Sequence, residues 1–216
     1  VQGQRTVGIT EKPELAPLDV LKDMYGFEPP RHEGTTTVTA CEKMISGEVK
    51  AFVALGGNFI RAAPEMRAVE EAWRKLRLTV SIATKLNRSH VVHGQVAYVL
   101  PCLGRIEIDE QATGRQAVSM ESSLAHYHGS RGHVKPASPH LRSEPAIVAG
   151  IAKATLEPNP KVPWDQWVGD YGLVRQQIEK TWPATFPDFS EKLFDPGGVA
   201  RPLAARERKW NTRTGK

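Results

Sequence analysis

Short apolar runs alternate with polar, glycine-containing segments through the middle of the chain. The run Ala51 to Leu55 contains five apolar residues in succession, which predicts a strand covered on both faces. The next segment repeats apolar residues at spacings of three and four, at Met66, Val69, Trp73 and Leu76. This spacing predicts a helix with one apolar stripe, which Pro64 fits at its start. A second apolar run, Leu76 to Ile82, predicts a second strand, parallel to the first and joined to it by a right-handed crossover.

The same patterns predict the remaining elements. A third strand is expected at Val96 to Leu100 and a further one at Gln116 to Met120. Helices are expected at Leu15 to Met24, Thr37 to Ser46, Glu144 to Thr155, Trp164 to Gly169 and Tyr171 to Trp182. Thr39 and Glu42 have the spacing of a capping box, and Ser143 is an expected N-cap. We expect a loop at residues 1–14, irregular chain beyond Pro183, and no regular structure over the rest of residues 110–142.

This order of elements predicts an α/β fold, a three-layer Rossmann-like domain with a mostly parallel sheet and a mostly helical or irregular C-terminal extension. The expected divisions are a loop and helix segment at 1–34, the Rossmann-like domain at 35–156 and the extension at 157–216.

Composition narrows the class of protein. The 216 residues are 40% hydrophobic and 25% charged, as in ordinary globular proteins, and no apolar run approaches the roughly 20 residues of a membrane helix. A cytoplasmic location is therefore expected. Cys41 and Cys102 stand apart and predict buried thiols rather than a metal site or disulfide. The net charge of +5 is concentrated near the end of the chain, where a solvated segment is favoured over a nucleic-acid surface. The start at Val1 suggests an internal fragment of a longer polypeptide.

Polar groups follow the first two strands of the predicted sheet. Gly56, Gly57 and Asn58 follow the first strand, and the stretch after the second contains Thr84, Lys85, Arg88 and Ser89. Glycine, amide, hydroxyl and cationic groups at successive strand ends suit a diphosphate or a purine, although a solvated surface turn has the same composition. Neither a G-x-G-x-x-G fingerprint nor a Walker motif is present, which disfavours a dedicated nicotinamide or ATP site.

The loop after the third strand carries Arg105, Glu107 and Asp109. The two carboxylates could serve acid–base catalysis, but no partner nucleophile is evident, and holding the amino group of a base or pterin is the preferred interpretation. The histidines at 126, 128, 133 and 140 lack the tight spacing of a metal site, so no metal ligand is predicted.

Several motifs, in order, resemble the molybdopterin oxidoreductases, and more narrowly their formate-dehydrogenase-like alpha-subunit branch of the YdeP type. They run from one end of the chain to the other: Val1-Gln-Gly-Gln-Arg-Thr-Val-Gly8, Ala54-Leu-Gly-Gly-Asn-Phe59, Thr84-Lys-Leu-Asn-Arg-Ser-His90, Leu100-Pro-Cys-Leu-Gly-Arg105, Leu141-Arg-Ser-Glu-Pro-Ala-Ile-Val-Ala-Gly150 and Pro196-Gly-Gly198.

The resemblance implies a large oxidoreductase whose molybdenum is held by two molybdopterin guanine dinucleotides, one of which would bind residues 35–156. The cofactor-binding residues implied are Gln2, Gly3, Arg5, Gly56, Gly57, Asn58, Ser81, Thr84, Lys85, Arg88, Ser89, Arg105, Glu107 and Glu144. Segment 1–34 would lie near the cofactor, and segment 157–216 would lead to a further domain.

The resemblance implies no catalytic residue and no metal ligand in this chain, since the iron–sulfur cysteines and the molybdenum ligand of such enzymes lie upstream. The isolated chain is therefore expected to be inactive, with the remaining domains of the parent oxidoreductase as its partners, and with no nucleic-acid or membrane partner. Two alternatives stay open: a non-enzymatic interaction module of the same fold that has lost cofactor binding, and a small hydrolase that uses Glu107 and Asp109.

Overall fold

The computed structural model describes residues 2–210 and 212–215 and has the predicted α/β class. Its helices are α1 Gln2–Thr6, α2 Leu18–Tyr25, α3 Thr37–Ile45, α4 Phe59–Ala62, α5 Met66–Trp73, α6 Arg88–Val91, α7 Glu144–Thr155, α8 Trp164–Gly169, α9 Tyr171–Thr181 and α10 Phe189–Lys192. Its strands are β1 Ala51–Leu55, β2 Leu78–Ala83, β3 Val96–Pro101, β4 Glu110–Gln111, β5 Gly114–Arg115, β6 Val118–Glu121, β7 His126–Ser130 and β8 Val199–Ala200. No helix among the described residues is both long and apolar enough to cross a lipid bilayer.

Strands β1, β2 and β3 form a parallel sheet in that order, which confirms the predicted parallel arrangement. The register places Leu55 beside Ile82, and Ile82 beside Leu100. The carboxyl ends of the three strands therefore meet at one edge of the sheet, and the loops that follow them are neighbours.

The apolar stripe of α5 packs on one face of this sheet. Val69 and Trp73 of α5 are buried, as is Leu76 in the turn after the helix, whereas Met66 is 38% exposed. The ring of Phe52 in β1 lies 4.8 Å from that of Trp73, and Cys41 and Met44 of α3 complete the cluster. Each large apolar side chain buried here stabilises the fold by about 1.5–3 kcal/mol.

The prediction that β1 is covered on both faces is wrong. Phe52 packs against the α5 cluster, but Val53 and Leu55, which point to the opposite face, are 55% and 46% exposed. An unbroken apolar run is typical of a strand buried on both sides, and here one side lacks a cover among the described residues.

Helix boundaries follow local capping chemistry. Helix α2 begins later than predicted, since Pro13–Leu15 forms a separate 3-10 turn and Pro17 is the N-cap. Helix α3 is capped by Thr36, whose side chain accepts a hydrogen bond from the backbone N–H of Thr39, so the predicted Thr39–Glu42 capping box is wrong. Ser143 caps α7 as predicted, by accepting a hydrogen bond from the backbone N–H of Ala146.

A second group of elements surrounds a second apolar cluster. Strands β6, β7 and β8 form an antiparallel sheet, and Tyr127 of β7 packs with Phe186, Phe189 and Leu193. These elements lie where little or no regular structure was expected, in residues 110–142 and beyond Pro183. Likewise, α1 occupies the predicted loop at residues 1–14. Pairing between distant segments, such as Tyr127 with Val199, stabilises the short strands, and a local pattern does not reveal it.

Candidate functional site

The loop after β1 has an open backbone. Gly56 and Gly57 both adopt left-handed conformations, with φ of 68° and 75°. A Cβ atom built on either glycine would meet no heavy atom within 4 Å. Glycine adopts this conformation at little steric cost, and the absence of a side chain leaves the space beside the loop open to a ligand.

Hydrogen bonds hold this loop against the segment after β2. The N–H of Gly56 donates to the carbonyl of Ile82 at 2.8 Å, and the side-chain amide of Asn87 donates to the carbonyl of Gly57 at 2.7 Å. The hydroxyl of Ser89 donates to Oδ1 of Asn58 at 2.9 Å. The loop is therefore fixed by contacts of its own, before any ligand is considered.

The predicted site residues in and after β2 lie in two different environments. Thr84 and Lys85 are exposed just beyond the end of β2. By contrast, Ser81 and Ser89 are each only 5% exposed: Ser81 lies inside β2, and Ser89 accepts a hydrogen bond from the backbone N–H of Ile60. Two of these four residues can thus contact a ligand without rearrangement.

Arg88 is turned towards α5. Its guanidinium donates to both carboxylate oxygens of Glu70, at 2.9 and 3.1 Å. The hydrogen bond from Arg88 is the main reason why the pKa of Glu70 is lowered, with Arg74 contributing less. In this structure Arg88 therefore joins α6 to α5, and its guanidinium is paired with the carboxylate of Glu70.

The third loop forms one wall of a cleft of about 240 Å³. Arg105 and Glu144 line this cleft, and both are exposed. The guanidinium of Arg105 donates to the sulfur of Met120 at 2.6 Å, and a thioether is a weak acceptor. Glu144 begins α7, and the N–H of Leu103 donates to the carbonyl of Arg142 at 2.9 Å, which brings the start of α7 next to the end of β3.

Glu107 also lines the cleft, but its carboxylate binds backbone groups. One oxygen accepts from the N–H of Gly104 at 2.6 Å and the other from the N–H of Ala137 at 2.7 Å. The same segment passes so close to Gly132 that a Cβ on this glycine would overlap the Glu107 carbonyl. Glu107 thus fixes the shape of the cleft wall.

Sequence reasoning missed a polar network beneath the cleft. The hydroxyl of Tyr171 donates to Asp109 at 2.5 Å and lies 2.7 Å from Oγ of Ser143. Gln111 donates to the other oxygen of Asp109 at 2.6 Å. Burial, and then the hydrogen bond to Asp109, raise the pKa of Tyr171, so this phenol stays protonated. The sequence indicated Ser143 as a cap and Asp109 as a candidate carboxylate, but not their contacts with Tyr171.

The N-terminal segment lies apart from the three strand-end loops. Helix α1 packs beside β6, and Arg5 forms an ion pair with Glu11 at 2.8 Å. Gly3 lines a second cleft, of about 430 Å³, which shares Ser119 with the first. The side chain of Gln2 lies outside the described residues. The structure thus joins the first two strand-end loops by hydrogen bonds and places Arg105, Glu107 and Glu144 at one cleft. Gly3 and Arg5 line two other clefts.

The whole chain is similar to longer proteins. It is 45% identical over 216 residues to Protein YdeP of Escherichia coli strain K12 and of Shigella flexneri. It is 41% identical over 217 residues to an uncharacterized oxidoreductase of Mycobacterium tuberculosis strain H37Rv. Each alignment covers 100% of this chain and 28% of the relative, so the chain spans just over a quarter of the length of these proteins. No protein-family model matches it.

Proposed function

We propose that this chain is the cofactor-binding portion of a larger molybdenum oxidoreductase, because it is similar over its whole length to YdeP and to a mycobacterial oxidoreductase. It would bind one guanine dinucleotide arm of a bis(molybdopterin guanine dinucleotide) cofactor, in an enzyme similar to formate dehydrogenase. When bound, that cofactor would supply the redox chemistry. The residues of this chain would bind and orient the nucleotide, and none of them would be catalytic.

One observation carries the proposal: three successive strand ends present complementary groups at one edge of the sheet. Gly56 and Gly57 expose backbone without steric obstruction, as close approach of a diphosphate requires. Lys85 and Arg105 are exposed cations that suit phosphate oxygens. Glu144 is an exposed carboxylate that could accept hydrogen bonds from the amino and ring N–H groups of guanine.

Four of the other predicted residues would position these groups rather than contact the ligand. Ser89 and Asn58 hold the glycine loop, Glu107 holds the cleft wall, and Arg88 holds α6 against α5. We therefore expect their substitution to loosen the site rather than to remove a ligand contact.

Measurement of the nucleotide retained by the purified full-length oxidoreductase tests this function. Acid extraction would release the guanine nucleotide, and metal analysis of the same sample would give molybdenum content. Lys85→Ala and Arg105→Ala each remove a charged contact, so affinity should fall by about tenfold or more. Lys180→Ala removes an exposed cation of α9, outside the strand-end loops, and is the matched control.

Unchanged retention in both variants would overturn the proposal and favour the interaction module that has lost cofactor binding. The hydrolase alternative gains no support from the geometry. Both Glu107 oxygens accept backbone amides, and Asp109 is held by Tyr171 and Gln111, an arrangement typical of structural carboxylates.

A further inference from the structure

The segment after β2 contains a histidine that the proposed site does not use. His90 is the third residue of the short helix α6, whose N-cap is Asn87. Its Nδ1 atom accepts a hydrogen bond from the backbone N–H of Asn87 at 2.9 Å. The side-chain oxygen of Asn87 in turn accepts one from the backbone N–H of Ser89 at 2.9 Å. These reciprocal bonds form a capping box at the start of α6.

The capping box is connected to the loop after β1. The side-chain amide of Asn87 donates to the carbonyl of Gly57 at 2.7 Å. The box holds the backbone N–H and the side-chain oxygen of Asn87, so the direction of its amide group is fixed as well. The position of Gly57 therefore depends, through Asn87, on an acceptor atom of His90.

The same hydrogen bond determines the state of the imidazole. A ring nitrogen that accepts a hydrogen bond carries no proton, so His90 is neutral here and its proton is on Nε2. The third residue of a capping box is typically glutamate or glutamine, whose side-chain oxygen accepts over a wide pH range. Histidine differs, because it becomes protonated on both nitrogens between about pH 8 and 5 and then has no acceptor.

The charged groups on the neighbouring elements are cationic or already paired. Helix α4, which packs against α6, carries Arg61, and Lys85 is exposed in the loop before α6. Glu70 of α5 is paired with Arg88 at 2.9 Å. Among the residues that the structure describes, no carboxylate forms an ion pair with His90. Protonation of the imidazole would therefore break its hydrogen bond to Asn87 without forming an ion pair in its place.

We propose that His90 is a positioning residue for the loop after β1 and makes nucleotide retention depend on pH. This inference rests on the proposed function, in which a diphosphate lies against Gly57. While His90 is neutral, the capping box is intact and Asn87 holds Gly57 in one position. On acidification Asn87 loses its acceptor, the loop loosens and retention falls. His90 itself contacts no part of the nucleotide.

Hydrogen–deuterium exchange of the full-length protein tests the capping box directly. His90→Gln keeps an acceptor that does not titrate in this range. His93→Gln is the matched control, because the ring of His93 contacts the carbonyl of Gly94 and lies outside the box. At about pH 8 the wild type and both variants should exchange alike over residues 86–89. At about pH 5.5 the wild type and His93→Gln should exchange about threefold faster or more than His90→Gln, since they lack one hydrogen bond.

Equal exchange of the wild type and His90→Gln at the lower pH would overturn the role of His90 and leave the proposed function standing. Nucleotide retained at the same two pH values, measured by acid extraction, gives a second comparison. The wild type should lose about threefold more nucleotide than His90→Gln at the lower pH. Equal losses, in a protein whose retention depends on Lys85 and Arg105, would also overturn the inference. Retention that does not depend on Lys85 or Arg105 would overturn the proposed function, and this inference with it.

Discussion

Tyr171 shows how one buried side chain can join distant segments. Its hydroxyl contacts Asp109 and Ser143, and its backbone N–H donates to the side chain of Gln116 at 2.9 Å. Asp109 follows the third-strand loop, and Ser143 caps α7. The phenol therefore fixes the floor of the candidate cleft relative to the helix that carries Glu144.

Loss of this hydroxyl should destabilise the segment at neutral pH. Tyr171→Phe leaves the Asp109 carboxylate without one of its donors, which costs about 1–3 kcal/mol. The pKa of Tyr171 is raised on folding, so its stabilising contribution is complete below the unfolded pKa of about 10 and is lost as the pH rises through the folded value.

A spectrophotometric titration of the tyrosines in the full-length protein checks the raised pKa of Tyr171. The wild type and Tyr171→Phe should titrate alike for as long as the protein stays folded, because Tyr171 does not ionise in the folded state. A phenol that ionises near pH 10 in the folded wild type and is missing from the variant would contradict the prediction. The variant should also unfold at a lower temperature at pH 7.

At the scale of single elements, the loop after β1 requires glycine because of its backbone conformation, and not because a side chain would lack space. Gly57 has a φ of 75° with no heavy atom within 4 Å of a built Cβ, so alanine would fit but would be strained. We expect Gly57→Ala to cost about 1–2 kcal/mol. Gly150 lies inside α7 and also has open space, so Gly150→Ala should instead stabilise by up to about 1 kcal/mol.

The unfolding temperatures of the two full-length variants give this comparison. They should move in opposite directions from the wild type, although the chemical change is identical. A decrease of the same size in both would contradict the assignment of the cost at Gly57 to its left-handed backbone.

Elements with a strong local signal were predictable from the sequence. The alternation of apolar runs gave β1, β2 and β3, and Ser143 marked the start of α7. Strands β7 and β8 were not predictable, because they are short and pair across a long sequence separation. In the candidate site, Gly56, Gly57 and Lys85 lie in loops after their strands, as predicted, but the ion pair of Arg88 with Glu70 depends on packing that the sequence does not display.

At the scale of the whole molecule, the described chain has two separate apolar clusters. One contains Trp73 and Leu76 beside the parallel sheet, and the other contains Phe186 and Leu193 beside β7. Leu76 and Leu193 are 2% and 1% exposed, so they form a matched pair for substitution. Leu76→Ala and Leu193→Ala should each cost about 2–5 kcal/mol.

Hydrogen–deuterium exchange of the full-length variants would show whether the clusters act independently. Leu76→Ala should speed exchange in β1 and α5 but leave α9 and α10 unchanged, and Leu193→Ala should do the reverse. Faster exchange in both regions from either substitution would indicate one cooperative unit.

The division of the chain into residues 1–34, 35–156 and 157–216 stays a prediction. In the structure, the first and last of these segments are in contact. Asn159 donates to the carbonyl of Tyr25 at 2.9 Å, and the rings of Tyr25 and Trp167 lie 5.9 Å apart. Segments 1–34 and 157–216 therefore pack against each other, which sequence order alone could not indicate because it holds no information on distant contacts.

The hydrogen bonds between the glycine loop and the end of β2 also bear on the energetics of recognition. Gly56 and Gly57 are each fixed by protein groups, Ile82 and Asn87. A diphosphate that binds there would meet a backbone already in one shape, so little conformational entropy would be lost on association. Affinity at this edge would then be set mainly by charge and by desolvation, and it should weaken as the salt concentration rises.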